Sequence, residues 1–153
     1  MTSTTQTISA LIADDREEFQ QLAAACLESD PHITILDFAE TGEAVIEQAV
    51  RWRFDLIVLD MWLSGMDGLT ALRHIKRLPS APRVIMTHLY DDPACRLAAQ
   101  KSGADGFVLK ADYPIALLQA VHELFPMGGL RPSPICMTQS SERKLVKDAS
   151  SIR

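Results

Sequence analysis

Five short, nearly all-apolar runs alternate along the chain with five stretches whose apolar residues recur at helical spacing. Residues 8–13 are the first run. Residues 17–28 follow, where Phe19, Leu22, Ala23, Cys26 and Leu27 stand one, three or four apart and predict a helix. Residues 33–39 form a second strand and 42–52 a second helix, with Thr41 as its N-cap. Residues 56–59 form a third strand with no polar residue, and 69–78 a third helix with Leu69, Leu72 and Ile75 facing inward. Residues 84–87 are the fourth strand. Asp92-Pro93 then sets an N-cap before a proline at the first helical position, opening a helix to about Ser102. Residues 106–109 are the fifth strand and 114–124 the last helix.

Strict βα alternation predicts an α/β fold with a parallel sheet covered by helices on both faces. The continuously apolar strands agree, because such strands are buried on both sides. After Phe125 the pattern ends. Pro126, Gly128, Gly129, Pro132 and Pro134 break regular structure, and Ser, Lys and Arg follow. The expected organisation is one folded domain over residues 1–127 and a linker-like or disordered tail over 128–153. Beyond the βα alternation there is no internal repeat.

Charge divides along the same line. From residue 128 onward there are five basic residues (Arg131, Arg143, Lys144, Lys147, Arg153) and two acidic ones (Glu142, Asp148). The tail is therefore +3, and the net charge of −5 leaves the body at −8. An acidic body argues against nucleic acid as the domain's partner. The first nine residues lack the basic and apolar regions of a secretory signal, and no apolar run reaches the length of a membrane span. Cys26, Cys95 and Cys136 are scattered and odd in number. They read as thiols in a reducing cytoplasm, with neither a disulfide framework nor a zinc site.

In an open parallel sheet, ligands bind at the carboxyl ends of the strands. The first strand ends in Asp14-Asp15, the third in Asp60, the fourth in Thr87-His88 and the fifth in Lys110. Three carboxylates and one ammonium thus converge on one rim. At about 4 Å and an effective dielectric near 20, each carboxylate pair costs roughly 4 kcal/mol. A hard dication relieves this, and Mg²⁺ takes one or two carboxylates, waters and a phosphate oxygen. Lys110 adds a point charge able to hold a phosphoryl oxygen. The set suits in-line phosphoryl transfer onto Asp60, with an acyl phosphate as product. Singly, each residue has a plainer reading. Asp15, with Glu18 three residues on, is a capping box; Asp14 is a solvated loop acid; Lys110 is a surface lysine.

On these residues the chain resembles the response-regulator receiver domain of two-component signalling. Leu-Ile-Ala-Asp-Asp (11–15) is similar to that family's acidic-pair strand, and Leu-Asp-Met-Trp-Leu-Ser-Gly-Met-Asp-Gly (59–68) to its phosphoacceptor segment. Gly-Ala-Asp-Gly-Phe-Val-Leu-Lys (103–110) is similar to its lysine strand. The resemblance covers residues 8–125 and is nearest to the subclass that usually carries a C-terminal helix-turn-helix. Gly-Gly-Leu-Arg-Pro-Ser-Pro (128–134) resembles that subclass's linker, but no helix-turn-helix pattern follows it in this chain.

The resemblance implies a doubly wound (βα)5 fold, flavodoxin- or chemotaxis-receiver-like, with strand order 2-1-3-4-5. It implies phosphorylation of Asp60 by a histidine kinase or phosphotransfer protein. Mg²⁺ (or Mn²⁺) would be held by Asp15, Asp60 and the Trp62 backbone carbonyl, with Asp14 acting through water and Lys110 binding the phosphoryl group. The protein would be cytoplasmic. It would be no enzyme beyond its own phosphorylation and dephosphorylation. It would signal to a protein partner through the face made by helix four, strand five and helix five, with a homodimer as a lesser expectation and direct DNA binding not expected.

Three positions depart from the family pattern. Ser64 stands where a proline is usual, and Ala111 where many receivers have proline after the lysine. The third is the switch residue, a Ser or Thr at the end of strand four. Counting without gaps from Asp60, from Lys110 or from the acidic pair Asp91-Asp92 gives His88. A one-residue slip, with compensating changes in both flanking loops, would restore Thr87. An imidazole donates a hydrogen bond better when protonated, and it is larger than a hydroxyl. With His88 there, phosphorylation is expected to persist while the switch is altered. Phe107, three residues before Lys110, stands where receivers often carry a mobile aromatic, and it reads equally as a core residue. Trp62 and the residues after His88 are bulky enough to shield an acyl phosphate.

Other classes fit less well. A haloacid-dehalogenase-like phosphatase needs a second Asp where Trp62 stands, and a flavodoxin needs a phosphate loop where Asp14-Asp15-Arg16-Glu17-Glu18 would repel one. The alternative left standing is a phosphate-independent receiver that works as a protein-binding or dimerisation module.

Overall fold

The computed structural model describes residues 6–126 of the chain. It is built from β1 (Ile8–Ala13), α1 (Glu17–Glu28), β2 (Ile33–Ala39), α2 (Gly42–Arg51), β3 (Leu56–Asp60), α3 (Gly68–Lys76), β4 (Arg83–His88), α4 (Pro93–Lys101), β5 (Gly106–Leu109) and α5 (Leu118–Leu124). The five strands form one parallel sheet in the order β2-β1-β3-β4-β5. This is the doubly wound order, and it reverses direction at β1 and β3, where such sheets bind their ligands.

Period-two alternation divides each strand between two cores. Leu11 and Ala13, Ile57 and Leu59, and Val84 and Met86 join Val45 of α2 and Ala71, Leu72 and Ile75 of α3 in one buried cluster. The alternate residues, Ala10, Ile12, Leu56, Val58 and Ile85, are equally buried toward the other face. There α1 contributes Ala23 and Leu27. Burying one Leu or Ile side chain stabilises the fold by roughly 1.5–3 kcal/mol, so these strands dominate its stability. Leu22, at helical spacing with the other apolar residues of α1, is exposed.

The caps show why the helices begin where they do. Thr41 Oγ1 accepts from the Ala44 N–H at 3.0 Å, and Asp92 accepts from the Ala94 N–H at 2.9 Å ahead of Pro93. Both agree with the sequence. Asp67 caps α3, accepting from the Thr70 N–H at 2.8 Å, and moves that helix's start to Gly68. Asp15 does not cap α1. The N-cap is Arg16, which makes no side-chain capping bond.

The last helix also differs from expectation. The chain turns through a 3-10 segment at Lys110–Asp112 and a π turn at Tyr113–Leu117 before α5 begins at Leu118. Pro114 stands in the first turn of this segment, where its missing N–H removes no bond, just as Pro93 opens α4.

The chain divides into two compact units, the first ending at Ala120 and the second starting at Val121. The described part of the second is the end of α5, closed by a bond from the Phe125 N–H to the Val121 carbonyl (2.9 Å). The boundary expected at residues 127–128 and the tail lie outside the described residues. So does Cys136. Cys26 and Cys95 are free thiols. Among the described residues, no helix is long and apolar enough to cross a membrane.

Candidate phosphoacceptor site

The sheet's register assembles the site. Ala13 pairs with Leu59, so Asp14 and Asp60 leave neighbouring strands at one level. Asp60 in turn pairs with Thr87. Lys110 follows β5 directly and reaches back into the group. Asp14, Asp60 and Lys110 are 2%, 4% and 3% exposed, so none of the three is a solvated surface residue. Asp15 is exposed.

Lys110 binds two carboxylates. Its Nζ donates to Asp60 Oδ2 at 3.1 Å and lies 2.5 Å from Asp14 Oδ2. The second contact is an ion pair outside hydrogen-bond angles, which leaves Asp14 Oδ2 a buried oxygen without a hydrogen-bond donor. The ammonium also lies over the Phe19 ring, 4.2 Å from its centroid. Asp14 is held further by the Arg16 N–H, 2.9 Å from Oδ1. Gln20 Nε2 donates to the Asp14 backbone carbonyl at 2.6 Å. Asp60 Oδ1 accepts from the Trp62 N–H at 3.3 Å. Burial pushes Asp60 up from the ordinary carboxylate value to about 6, with Asp14 adding to the rise and Lys110 opposing it. Asp60 is thus mostly ionised at pH 7 but costly to keep so.

Asp14, Asp15 and Asp60 each bring a carboxylate oxygen within 4.8 Å of the others. Three hard oxygens so close, two of them on buried residues, fit a hard dication. Asp15 Oδ2 is held by the Ser64 hydroxyl at 3.1 Å, a contact that sequence reasoning missed because the two residues are far apart in the chain.

The β3–α3 loop passes beneath the acceptor. Gly68 N–H donates to the Met61 carbonyl (2.9 Å), and a Cβ on Gly68 would stand 1.9 Å from the Asp60 carbonyl oxygen. The glycine at that position of the phosphoacceptor segment is therefore a close-approach residue.

The end of β4 separates the two switch candidates. Thr87 is level with Asp60, and alternation turns it toward the face of Asp60 and His88 toward the other. Thr87 Oγ1 is buried with no hydrogen-bond partner. Burial pushes the Tyr113 hydroxyl well up. His88 is 2% exposed and packs edge-on to Trp62 (4.8 Å between centroids) and Tyr90 (5.8 Å), which also meet each other at 6.3 Å. Burial pushes its imidazole below the usual value, with Asp92 opposing and Lys110 adding, so it is neutral at pH 7. Trp62 and Tyr90 are exposed at 59% and 62% and roof the histidine. Among the described residues, the hydrogen bonds to the Asp60 carboxylate come from Lys110 and Trp62, not from Thr87 or His88. Phe107 pairs with Met86, packs on the core and lies under the Arg96 guanidinium at 4.6 Å.

A parallel βα sheet with an acid trio and a buried lysine at its switch point defines an aspartate-phosphorylation module. The profile of the response regulator receiver domain matches residues 10–122, and the chain belongs to that family. The nitrate/nitrite response regulator NarL of Escherichia coli K12 is 32% identical over 113 residues, 74% of this chain and 52% of that protein. A protein-glutamate methylesterase/protein-glutamine glutaminase of Alkalilimnicola ehrlichii is 31% identical over 134 residues, 83% of this chain and 34% of that protein. The chain thus spans a third to a half of these relatives' length. A LuxR-family two-component response regulator of Aurantimonas sp. SI85-9A1 superposes with a TM-score of 0.75 at 24% identity, over 92% of this chain and 99% of that one. Receiver domains act by phosphorylating and dephosphorylating themselves rather than by turning over an external substrate, and this chain has the generic phosphoacceptor chemistry of its family.

Proposed function

We propose that this receiver takes a phosphoryl group onto Asp60 from the phosphohistidine of a kinase or phosphotransfer protein, and signals through altered binding to a downstream protein. An Asp60 oxygen attacks phosphorus and forms the acyl-phosphate P–O bond. The P–N bond to the donor imidazole breaks, and the imidazole takes up a proton. Asp15, Asp60 and the Trp62 carbonyl would hold Mg²⁺ or Mn²⁺, with Asp14 acting through water. The cation would neutralise the charge gathered on the transferring group. Lys110, already on Asp60, would hold a phosphoryl oxygen. The compartment of the donor implies a cytoplasmic protein.

The observation that carries this reading is the Asp60 carboxylate, buried between the Lys110 ammonium and the Trp62 N–H with two further carboxylates beside it. We assign the switch position to His88. The ungapped counts from Asp60, from Lys110 and from Asp91-Asp92 support that choice, although alternation turns Thr87 toward the face of Asp60. A neutral, roofed imidazole would move toward the phosphoryl group less freely than a hydroxyl. The altered switch would reach the partner through Phe107 and the helix four, strand five, helix five face.

Intact-mass spectrometry after incubation with Mg²⁺ and acetyl phosphate tests the acceptor. One phosphoryl group on the wild type and none on Asp60→Asn is the expected result. No phosphorylation by acetyl phosphate or by a phosphotransfer donor, together with no binding of Mg²⁺ or beryllofluoride, would overturn it in favour of a phosphate-independent binding module.

A further inference from the structure

The three carboxylates of the site are not held alike. Asp14 is pinned by the Arg16 N–H and by Lys110, and Asp60 by Lys110 and the Trp62 N–H. Asp15 is exposed, and its side-chain hydrogen bond is to the Ser64 hydroxyl, 3.1 Å from Oδ2. Before any cation arrives, repulsion from its two buried neighbours drives Asp15 outward into solvent, as the one of the three free to leave. The Ser64 hydroxyl opposes that motion.

Ser64 is itself anchored. It forms an isolated parallel bridge with Thr41, the residue that caps α2. Two residues on, the Met66 N–H donates to both oxygens of Glu43 in the first turn of α2, at 2.9 and 3.2 Å. Between them Gly65 has a φ of +70°, a conformation that favours glycine, and a Cβ there would stand 2.6 Å from Glu43 Oε2. The start of α2 therefore grips the β3–α3 loop on both sides of Gly65 and sets where the Ser64 hydroxyl points.

We propose that Ser64 is a positioning residue for the cation: it holds the Asp15 carboxylate within the acid trio, so that the dication meets a formed site. The inference rests on the cation reading above. A hydroxyl that orients a ligand through an oxygen needs no contact with the metal, and partners of this kind contribute about tenfold or more to metal affinity.

The test is Mn²⁺ binding, followed by loss of the free-ion electron paramagnetic resonance signal, on the full chain without phosphodonor. The proteins are wild type, Ser64→Ala, Ser64→Thr and Asp15→Asn. The expected result is a severalfold to about tenfold weaker affinity in Ser64→Ala, with affinity retained in Ser64→Thr, which keeps the hydroxyl. The metal-free melting temperature of Ser64→Ala should match wild type, since both partners are exposed. Equal affinity in wild type and Ser64→Ala would overturn the proposal, and so would tighter binding in Ser64→Ala, which would make the hydroxyl a competitor of the metal. If the wild type and Asp15→Asn bound Mn²⁺ equally weakly, the cation reading itself would fall and the role of Ser64 with it.

Discussion

Asp60 shows how much a single residue's surroundings cost. Its folded value, about 6, lies above the ordinary 3.8. A raised carboxylate contributes stability below its unfolded value and loses it as pH climbs through the folded one. In chelator, Asp60→Asn is therefore expected to be more stable than wild type above pH 6, by on the order of 2–3 kcal/mol. The gap should close as pH falls toward 4, and urea melts across that range check it. Two neighbours carry predictions about the phosphorylated state. Trp62→Asn removes a bulky ring from the residue next but one to Asp60, where it packs on His88, so the acyl-phosphate half-life should shorten severalfold. An unchanged half-life would mean the ring shields nothing. His88→Thr should enlarge the change in hydrogen exchange that beryllofluoride causes at the end of β4 and in α4. If the exchange difference were the same with either residue, His88 would carry no weight in switching.

At the scale of elements, two junctions hold the strand ends in place. One is the β3–α3 turn, where Gly68 lies against the Asp60 carbonyl. Gly68→Ala must move the backbone of the acceptor itself. The expected cost is about 2–3 kcal/mol in denaturant melts, with phosphorylation lost or slowed alongside. The other lies at the opposite end of the strands, where β4 and β5 begin. Asp105 accepts from Lys76 Nζ (2.5 Å), Arg83 Nη1 (3.1 Å) and the Val84 N–H (2.8 Å), tying α3 to β4 and β5. Burial raises this carboxyl, but the two cations and the N–H outweigh it, and the net shift is downward. Its stabilisation is thus present above the ordinary value of 3.8 and is lost as pH falls below it. Asp105→Ala should cost about 2–4 kcal/mol at pH 7, and the difference from wild type should shrink in acid.

For the whole molecule, a cation held by the acidic rim would make stability depend on its concentration. A cation that binds the folded site and not the unfolded chain adds about 2.7 kcal/mol at a hundredfold excess over its dissociation constant. The melting temperature is expected to rise with the logarithm of Mg²⁺ concentration, to fall back in chelator, and to be insensitive to Mg²⁺ in Asp15→Asn.

How far the sequence carries depends on whether a feature is local. The central strand β3 was legible because a strand buried on both faces must be apolar nearly throughout, and the caps at Thr41 and Asp92 because a cap is read within three residues. The acid pair, Asp60 and Lys110 were legible because strand ends mark the rim. The start of the last helix was not, since the π turn at Tyr113–Leu117 has a closure that no residue propensity expresses. Asp15 looked like a cap because Glu18 follows it at the right distance, but only the packed β1–α1 turn decides that Arg16 takes that place. The sequence by itself determined the fold class, the order of its elements and which acidic and basic residues stand at the strand ends. All of these follow from periodicity and from residue type at strand ends. Only the tertiary structure decided what each residue touches: Lys110 on Asp14 and Asp60, Trp62 and Tyr90 over His88, Ser64 on Asp15. Those contacts join residues distant in the chain, and they exist only once the sheet has set its register.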